Sequence, residues 1–237
     1  MIGAVLFDLD GTLLDIDMNE FIPQYFRQMI RWARQQRVGA KSLVQSVLAS
    51  TEAMIANRDP SQTNQFVFEN AFFADPAYDR KTLEPFFESF YQEAFDALQV
   101  HSKPFPDVPA LLSNMFQRGF KVAIATNPVF PDLAVRKRLN WAGIGEYPFH
   151  WITAYENAHY TKPHLEYYLE ISENLGVKPE QCLMVGNDVA EDMIAGQLGM
   201  KTFLVTERVI NLRKLKLPLD GKGSHKDVLR FIEMLAD

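Results

Sequence analysis

Hydrophobic and polar positions follow two different patterns along the chain, one typical of strands and one typical of helices. Residues 2–7 form a short apolar run, which is typical of a buried β-strand. From about Met18, apolar residues recur at steps of three and four, with Phe21, Tyr25 and Met29 as the first repeats, and this spacing predicts an amphipathic helix. The same spacing predicts further helices over residues 38–57, 64–74 and 80–98.

Prolines interrupt this helical pattern at residues 103–109 and predict a linker, because proline cannot continue a helix. Beyond the linker, short apolar runs alternate with helical spacing. The predicted strands cover residues 121–125, 150–152, 182–185 and 201–205. The predicted helices cover residues 107–117, 131–141, 190–198 and 225–235, and one more begins at Pro163.

This order of elements predicts an α/β protein. Apolar strands that alternate with amphipathic helices form a parallel sheet with helices on both faces, as in a Rossmann-like, doubly wound core. The first strand fits such a core, although a purely helical stretch separates it from the other strands. We therefore predict a discontinuous core of residues 1–15 and 101–237, with an all-helical cap domain inserted at residues 16–100.

Composition argues against several classes of function. The chain has 237 residues and a formal net charge of −6, whereas general nucleic-acid binders present basic surfaces. No apolar run approaches the ~20 residues of a membrane helix, and the first residues do not have the pattern of a signal peptide. The single cysteine, Cys182, lies in an apolar run, so we expect a buried thiol, no internal disulfide and a cytoplasmic location.

Two groups of arginines are interpreted as solvated helix faces. They are Arg31, Arg34 and Arg37 in the first helix and Arg136 to Arg138 in a later one. His159 and His164 flank Lys162, but their spacing and their oxygen-rich neighbours do not favour a zinc site. We therefore expect both histidines on the surface or facing the cap.

Polar residues collect where the predicted strands end. They are Asp8 and Asp10 after the first strand, Thr126 and Asn127 after the second, Lys162 before a helix, and Asn187, Asp188 and Asp192 after the strand at 182–185. Parallel sheets bind ligands outside the carboxyl ends of their strands, so we expect these side chains to converge. Close carboxylates repel each other and are costly to bury unless something positive pairs with them.

These residue types predict a phosphoryl-transfer site. Mg²⁺ is typically held by one or two carboxylates together with phosphate oxygens and water, and Asp8 and Asp188 can supply the carboxylates. Asp192 follows Asp188 by four residues, one helical turn, and can face the same point. A lysine and a threonine hydroxyl can hold the phosphoryl oxygens, and aspartate is a known nucleophile toward phosphorus.

The sequences FDLDGTLL, AIATN, TKP and VGNDVAEDMIAG resemble, in order, the four motifs of the haloacid dehalogenase (HAD) superfamily of hydrolases, and the helical insertion resembles its small helical cap. The resemblance implies that Asp8 is the nucleophile, forming an aspartyl-phosphate, and that Asp10 is the general acid and base. It also implies that the Asp10 backbone carbonyl joins Asp8 and Asp188 around Mg²⁺. Thr126 and Lys162 would bind the phosphoryl group.

The fourth motif leaves two ligand sets open. Either Asn187 or Asp188 can take the first position before Asp192, and we favour Asp188 as the direct ligand, with Asp192 acting on the metal through water. Asn127, adjacent to Thr126, is included among the phosphate-binding residues.

Asp10 favours a phosphatase over a dehalogenase, because an alkoxide leaving group needs a proton and a halide does not; such general acid catalysis contributes roughly 10²–10⁴ in rate. We predict a Mg²⁺-dependent phosphomonoester hydrolase of a small phosphorylated metabolite, without a nucleic-acid or membrane partner. The alternatives are a phosphosugar mutase of the same family and a catalytically silent HAD-fold binding protein. Specificity is expected from residues near the cap, such as Asp15, Asp17, Phe21 or Tyr25.

Overall fold

The computed structural model of the protein describes residues 1–39 and 42–235. Its centre is a six-stranded sheet in which all neighbouring strands are parallel. In sheet order the strands are β5 (Trp151–Ile152), β4 (Lys121–Ile124), β1 (Ala4–Phe7), β6 (Cys182–Gly186), β7 (Lys201–Val205) and β8 (Gly221–Gly223). The predicted parallel α/β sheet is confirmed.

Strand β1 lies in the middle of the sheet because it is apolar on both faces. Its last residue, Phe7, pairs with Ile124 of β4 on one side and with Val185 of β6 on the other. Successive side chains point to opposite faces, so Val5 packs in one hydrophobic cluster and Leu6 in another. Residues that follow β1 therefore emerge between the carboxyl ends of two neighbouring strands.

A helical segment separates β1 from the other strands of the sheet. Its α-helices are α1 (Met18–Gln35), α2 (Leu43–Ala56), α3 (Asn64–Phe72) and α4 (Arg80–Ser89). A short antiparallel ribbon joins its two ends, with β2 (Leu14–Ile16) paired to β3 (Ser102–Pro104). The helical content of the segment agrees with the sequence, and the division into core and cap domains stays a prediction.

The remaining helices cover both faces of the sheet. They are α5 (Val108–Gln117), α6 (Asp132–Trp141), α7 (Leu165–Asn174) and α8 (His225–Met234). Leu111 of α5 and Val228 of α8 belong to the cluster that contains Val5, whereas Ile171 of α7 belongs to the cluster that contains Leu6. This two-sided cover confirms the predicted doubly wound arrangement.

Helix α1 forms as the spacing of its apolar residues predicts. Asp17 caps it by accepting a hydrogen bond from the Asn19 N–H at 2.9 Å, which satisfies one of the free amides of the first turn. Phe21, Tyr25 and Met29, each four residues apart, are buried. The buried stripe holds α1 against the rest of the protein.

The prediction of one continuous helix over residues 80–98 is wrong. Helix α4 ends at Ser89, and a π-helical turn, Phe90–Ala94, and a 3₁₀ helix, Phe95–His101, follow it. The Phe95 N–H bonds to the Phe90 carbonyl, five residues back, instead of four. Both rings are fully buried, so their packing holds this wider turn, which the periodicity of the sequence does not reveal.

Other helix boundaries differ as well. No α-helix occupies residues 190–198; a turn leads instead into a 3₁₀ helix, Met193–Leu198. The helix predicted from Pro163 begins at Leu165, the helix predicted over 64–74 ends at Phe72, and the one predicted over 38–57 begins at Leu43. Residues 40–41 of that last prediction lie outside the described residues.

Cys182 is buried in β6, as predicted, and burial raises the pKa of its thiol to about 11. Within the described part of the chain, none of the helices combines the length and the apolar character that crossing a membrane requires.

Candidate active site

Asp8 lies directly after β1, at the carboxyl edge of the sheet. Its N–H continues the strand pairing by donating to the Val185 carbonyl at 2.9 Å. The side chain is largely buried, and both of its carboxylate oxygens are engaged: Oδ1 accepts from Lys162 Nζ at 2.8 Å and Oδ2 accepts from Thr12 Oγ1 at 2.9 Å. These bonds fix the orientation of the predicted nucleophile.

The turn after Asp8 returns Thr12 to the carboxylate. Gly11 has a φ of +86°, a conformation that glycine adopts without strain, and a Cβ atom there would also collide with the Asn187 amide. Thr12 Oγ1 lies 3.2 Å from Asn187 Oδ1 as well. The glycine therefore serves both the backbone turn and the close approach of the loop that follows β6.

Lys162 brings a third chain segment to the site. It is 2% exposed, and its ammonium bonds to Asp8 Oδ1 and, at 2.6 Å, to Asp192 Oδ1. Burial acts to lower the pKa of Lys162, but the carboxylates of Asp192 and Asp8 outweigh burial and raise the pKa well above its usual value. Lys162 is therefore a fixed positive charge between two carboxylates.

Asp188 and Asp192 hold different positions in the loop after β6. Asp188 Oδ1 accepts hydrogen bonds from the N–H groups of Ala190 and Glu191, at 2.7 and 3.0 Å. Asp192 is almost fully buried, and its second oxygen accepts from the Asp188 N–H at 2.9 Å. Burial raises the pKa of Asp192 to about 7, although Lys162 opposes this shift. Asp192 thus has both oxygens bound within the protein.

Asp10 forms an ion pair that the sequence did not lead us to expect. Its Oδ2 accepts from Arg138 Nη1, and its Oδ1 is buried without a hydrogen-bond partner among the described residues. Burial raises the pKa of Asp10, Arg138 opposes this, and Asp8 adds to it. The predicted general acid is therefore held in place through one oxygen while the other is free.

Arg138 corrects the interpretation of Arg136 to Arg138 as a solvated face. Its side chain is fully buried, Nε donates to the Ala134 carbonyl at 3.3 Å, and the guanidinium lies over the Phe130 ring at 4.6 Å. A signal was present in the sequence: position 138 follows Ala134, on the apolar face of α6, by one helical turn. A basic residue on an apolar helix face needs a buried partner.

Thr126 and Asn127 follow β4. The Thr126 carbonyl accepts from the Tyr167 hydroxyl at 2.7 Å, while its own hydroxyl has no hydrogen-bond partner in residues 1–39 and 42–235. The Asn127 amide instead bridges two loops: Oδ1 accepts from the Lys162 N–H and Nδ2 donates to Glu191 Oε2, each at 3.3 Å. Thr126 has a hydroxyl available to a ligand, whereas Asn127 joins protein segments.

The two histidines near Lys162 point away from the cluster of carboxylates. His159 Nδ1 pairs with Glu170 Oε1 at 2.5 Å. His164 Nε2 bonds to the Ile55 carbonyl at the end of α2, at 2.7 Å, so His164 faces the helical segment as predicted.

The four residues considered for specificity have separate roles. Asp15 pairs with Arg208 at 2.7 Å near the surface, and Asp17 caps α1. Phe21 is fully buried, and the Tyr25 hydroxyl bonds to the Tyr91 hydroxyl at 2.7 Å. Phe21 and Tyr25 therefore face inward, between the helical segment and the rest of the protein.

A family model described as haloacid dehalogenase-like hydrolase matches residues 2–199. The chain belongs to this family. The family predicted from the four motifs is therefore confirmed, and with it the prediction that the protein is an enzyme of the hydrolase class.

Relatives and solved structures cover nearly the whole HAD-like chain. A Clostridium perfringens protein provisionally named pyrophosphatase PpaX is 31% identical over 216 residues, which are 91% of this chain and 89% of that protein. A glyceraldehyde 3-phosphate phosphatase of Methanopyrus kandleri is 27% identical, with 85% and 83% covered. The crystal structure of an HAD phosphatase from Thermococcus onnurineus covers 98% of both chains, with a TM-score of 0.59 and 20% identity, and supports the fold.

The carboxyl groups at this HAD-like site outnumber its cationic groups, so a bound cation would balance part of the negative charge. Its carboxyl groups are Asp8, Asp10, Asp188, Glu191 and Asp192, and its cations are Lys162 and Arg138. In the described ranges, no three His, Cys, Asp or Glu side chains converge to hold a metal by themselves. A divalent cation such as Mg²⁺ fits when carboxylates and phosphate oxygens share it, which is its usual mode of binding.

Proposed function

We propose that the protein is a Mg²⁺-dependent phosphomonoester hydrolase that acts on a small phosphorylated metabolite through an aspartyl-phosphate. One observation carries the proposal: the Asp8 carboxylate is oriented by Lys162 and Thr12 at the carboxyl edge of the sheet, with the free oxygen of Asp10 two residues away. The names of the relatives, a pyrophosphatase and a glyceraldehyde 3-phosphate phosphatase, support hydrolysis of small phosphorylated compounds, and the second of them names a phosphomonoester.

In the first step Asp8 attacks the phosphorus atom, and the bond from phosphorus to the ester oxygen breaks. Asp10, in its protonated form, gives its proton to the departing oxygen, so that an alcohol leaves instead of an alkoxide. The raised pKa of Asp10 favours this protonated form. Lys162 and the Thr126 hydroxyl hold the phosphoryl oxygens as their charge is redistributed.

In the second step water attacks the aspartyl-phosphate. Asp10, now ionised, takes a proton from the water, and the bond between Asp8 and phosphorus breaks to release inorganic phosphate. Arg138 holds Asp10 in one position through both steps. The same carboxyl group acts first as an acid and then as a base, so its protonation state is restored at the end of each turnover.

Mg²⁺, when bound, would offset the negative charge of the phosphoryl group and of the nearby carboxylates. We assign its ligands to Asp8, the backbone carbonyl of Asp10 and Asp188. We assign Asp192 a contact with the metal through a water molecule, because its oxygens are already bound to Lys162 and to the Asp188 N–H.

Asn187 is a poorer candidate than Asp188 for the first position of the fourth motif. Its Nδ2 donates to the Arg208 carbonyl at 2.6 Å, and its Oδ1 accepts from Thr12. These contacts favour a role for Asn187 in joining two loops. A cytoplasmic location is part of the same proposal and is supported by the single, buried cysteine.

The proposal is tested with the Asp8→Asn variant and 4-nitrophenyl phosphate in the presence of Mg²⁺. Loss of the nucleophile should lower kcat by roughly 10³-fold or more, because the amide cannot attack phosphorus. Asp75→Asn, at an exposed position of the helical segment, is the matched control and should turn over like the wild type. Wild-type rates in Asp8→Asn, with the fold verified by circular dichroism, would refute the assignment.

A further inference from the structure

A cavity of about 650 Å³ lies between the helical segment and the loops that follow β4 and β5. We call it the aromatic cavity. A cavity of this size can bury the whole of a small organic molecule. The aromatic residues that line it are Tyr25, Phe26, Phe68, Phe73, Phe87, Tyr91, Phe130 and Tyr155. The rings give it an apolar surface that inorganic phosphate does not match.

The charged groups that line the aromatic cavity are all acidic among the described residues. They are Glu69, Glu84, Glu88 and Glu156. Arg80 pairs with Glu69 and Glu84, at 2.8 and 2.7 Å, but neither Glu88 nor Glu156 has an ion-pair partner in the described ranges. Glu88 accepts a hydrogen bond from Gln92, and both oxygens of Glu156 accept from the Asp132 N–H, but neither carboxylate has a cation against it in the described part of the chain. Aromatic faces attract organic cations, and carboxylates without a cationic partner attract cations and repel anions.

The aromatic cavity adjoins the candidate active site without containing its carboxylates. Val129, on its wall, donates a hydrogen bond to the Asn127 carbonyl at 2.8 Å, so the wall begins within one tight turn of the proposed phosphate-binding loop. Phe130, also on the wall, lies against the guanidinium that holds Asp10. The aromatic cavity and the proposed phosphate-binding loop therefore share the turn at residues 127–130.

We propose that the aromatic cavity receives the organic portion of the substrate, and that the preferred substrate is a phosphomonoester whose organic portion is apolar and carries a cationic amine. This inference rests on the proposed phosphatase function and adds the substrate class to it. The substrate then differs in kind from those in the names of the two relatives, pyrophosphate and glyceraldehyde 3-phosphate, neither of which carries an apolar or cationic group.

Three aryl phosphates that differ only in a distant substituent test the proposal. They are 4-(trimethylammoniomethyl)phenyl, 4-ethylphenyl and 4-(carboxymethyl)phenyl phosphate; in the two charged esters a methylene group weakens the effect of the charge on the leaving oxygen. We expect kcat/KM to fall in that order, with about a tenfold difference between the cationic and the anionic ester, which corresponds to ~1.4 kcal/mol.

Variants test whether the preference for the cationic ester arises from the glutamates of the aromatic cavity. The double change Glu88→Gln and Glu156→Gln should bring the ratio of cationic to anionic ester close to one. Glu93→Gln, at an exposed glutamate outside the cavity wall, should keep the wild-type ratio. Leu48→Trp, at a partly exposed position on the wall, should raise KM for the cationic ester, because the larger side chain narrows the cavity.

A binding experiment needs no turnover. Benzyltrimethylammonium should bind the Asp8→Asn variant in titration calorimetry and bind the double glutamine variant more weakly; absence of binding overturns the proposal. Hydrolysis of all three esters without a charge preference also overturns it and leaves the phosphatase function standing. Failure of the wild type to hydrolyse the three esters while it turns over 4-nitrophenyl phosphate overturns this inference alone. Failure on 4-nitrophenyl phosphate as well refutes the phosphatase function, and this inference falls with it.

Discussion

The candidate active site and the aromatic cavity are neighbours built in opposite ways. In the active site, buried carboxylates have buried cations against them: Lys162 lies between Asp8 and Asp192, and Arg138 holds Asp10. In the aromatic cavity, eight aromatic residues contribute to the walls, and Glu156, which accepts hydrogen bonds from the Asp132 N–H, has no ion-pair partner among the described residues. The active site holds its charged groups in ion pairs. In the described ranges, the aromatic cavity contains carboxylates without a cationic partner, which a cationic ligand can approach.

The difference follows from how each region is assembled. The active site draws on four loops at the carboxyl edge of a parallel sheet, and the strand register fixes where those loops begin. The cavity arises between amphipathic helices, where ring packing determines the shape. Changes in the active site should therefore affect chemistry and stability together, while changes around the cavity should act on selectivity or, more weakly, on stability.

The largest effect is expected from Lys162→Met. The variant leaves Asp8 and Asp192 buried without their shared cation, and breaking a buried ion pair on one side costs about 3–5 kcal/mol. Hydrolysis of 4-nitrophenyl phosphate should fall by roughly 10³-fold, because the proposed electrostatic contact of Lys162 to the phosphoryl group is lost. Urea denaturation and steady-state kinetics measure the two effects.

Lys201→Met is the matched control for this loss of a lysine. Lys201 pairs with Asp220 at 2.7 Å but is 44% exposed, and exposed pairs contribute about 1 kcal/mol or less. Turnover by Lys162→Met within tenfold of the wild type would contradict the role given to the buried lysine.

A smaller effect is expected from Arg138→Met, and its size should depend on the leaving group. Asp10 loses the group that positions it, so esters of aliphatic alcohols, which need a proton to leave, should react about 10²-fold more slowly. 4-Nitrophenyl phosphate should lose less than about tenfold, since nitrophenolate leaves without a proton. Arg138→Lys should recover part of the rate.

A purely structural role for Arg138 would give a different pattern. A general loss of packing would slow both kinds of ester equally. Loss of the buried ion pair lowers the free energy of unfolding in either case, so only the ratio of the two rates distinguishes the roles. Equal losses with the two leaving groups would therefore contradict the positioning role.

The sequence predicts most of what lies at the strand ends. Asp8 and Lys162, which are 154 residues apart, were expected to meet because parallel strands bring their carboxyl ends to one edge, and they do. The strands from Lys121, Cys182 and Lys201 were predicted nearly to the residue, since buried parallel strands are continuous apolar runs. For these strands and for the contact between Asp8 and Lys162, the hydrophobic pattern and the topology of the sheet were sufficient for the prediction.

Tertiary packing decided the features that the sequence missed. Arg138 was interpreted as solvated because charged residues usually are, and only its contact with Asp10 explains its burial. The three-residue strand β8 contains two glycines and no apolar residue, so no hydrophobic pattern marks it. The break after Ser89 depends on two buried rings, Phe90 and Phe95, which a periodic pattern counts as ordinary helix positions.

On the cavity side, Tyr25→Phe should cost about 1 kcal/mol of unfolding free energy, the usual value of a buried hydrogen bond. The change removes the 2.7 Å bond between the Tyr25 and Tyr91 hydroxyls. Tyr91→Phe should cost a similar amount, and the double variant should cost less than the sum, because either single change already breaks the bond. Strictly additive costs in thermal or urea unfolding would show that the two hydroxyls are not coupled.

The smallest effect is the pH dependence of stability that Glu156 contributes. It is also the effect most specific to the carboxylates of the cavity that have no ion-pair partner among the described residues. Burial raises the pKa of this carboxyl above its ordinary value of 4.5, and the backbone N–H of Asp132 opposes the shift. A raised pKa means that the folded protein holds the proton more tightly than the unfolded chain does. Ionisation therefore costs stability as pH rises through 4.5 and up to the raised pKa, and the cost is constant above it.

Comparison of the wild type with Glu156→Gln isolates this contribution. The stability of the wild type relative to the variant should fall across that pH interval by less than about 1 kcal/mol, because the carboxyl is partly exposed and solvent screens it. Saturating benzyltrimethylammonium should remove the fall, since a cation in the aromatic cavity stabilises the ionised form. A relative stability that rises with pH would mean that Glu156 already has a positive partner, and the contrast between the two sites would then disappear.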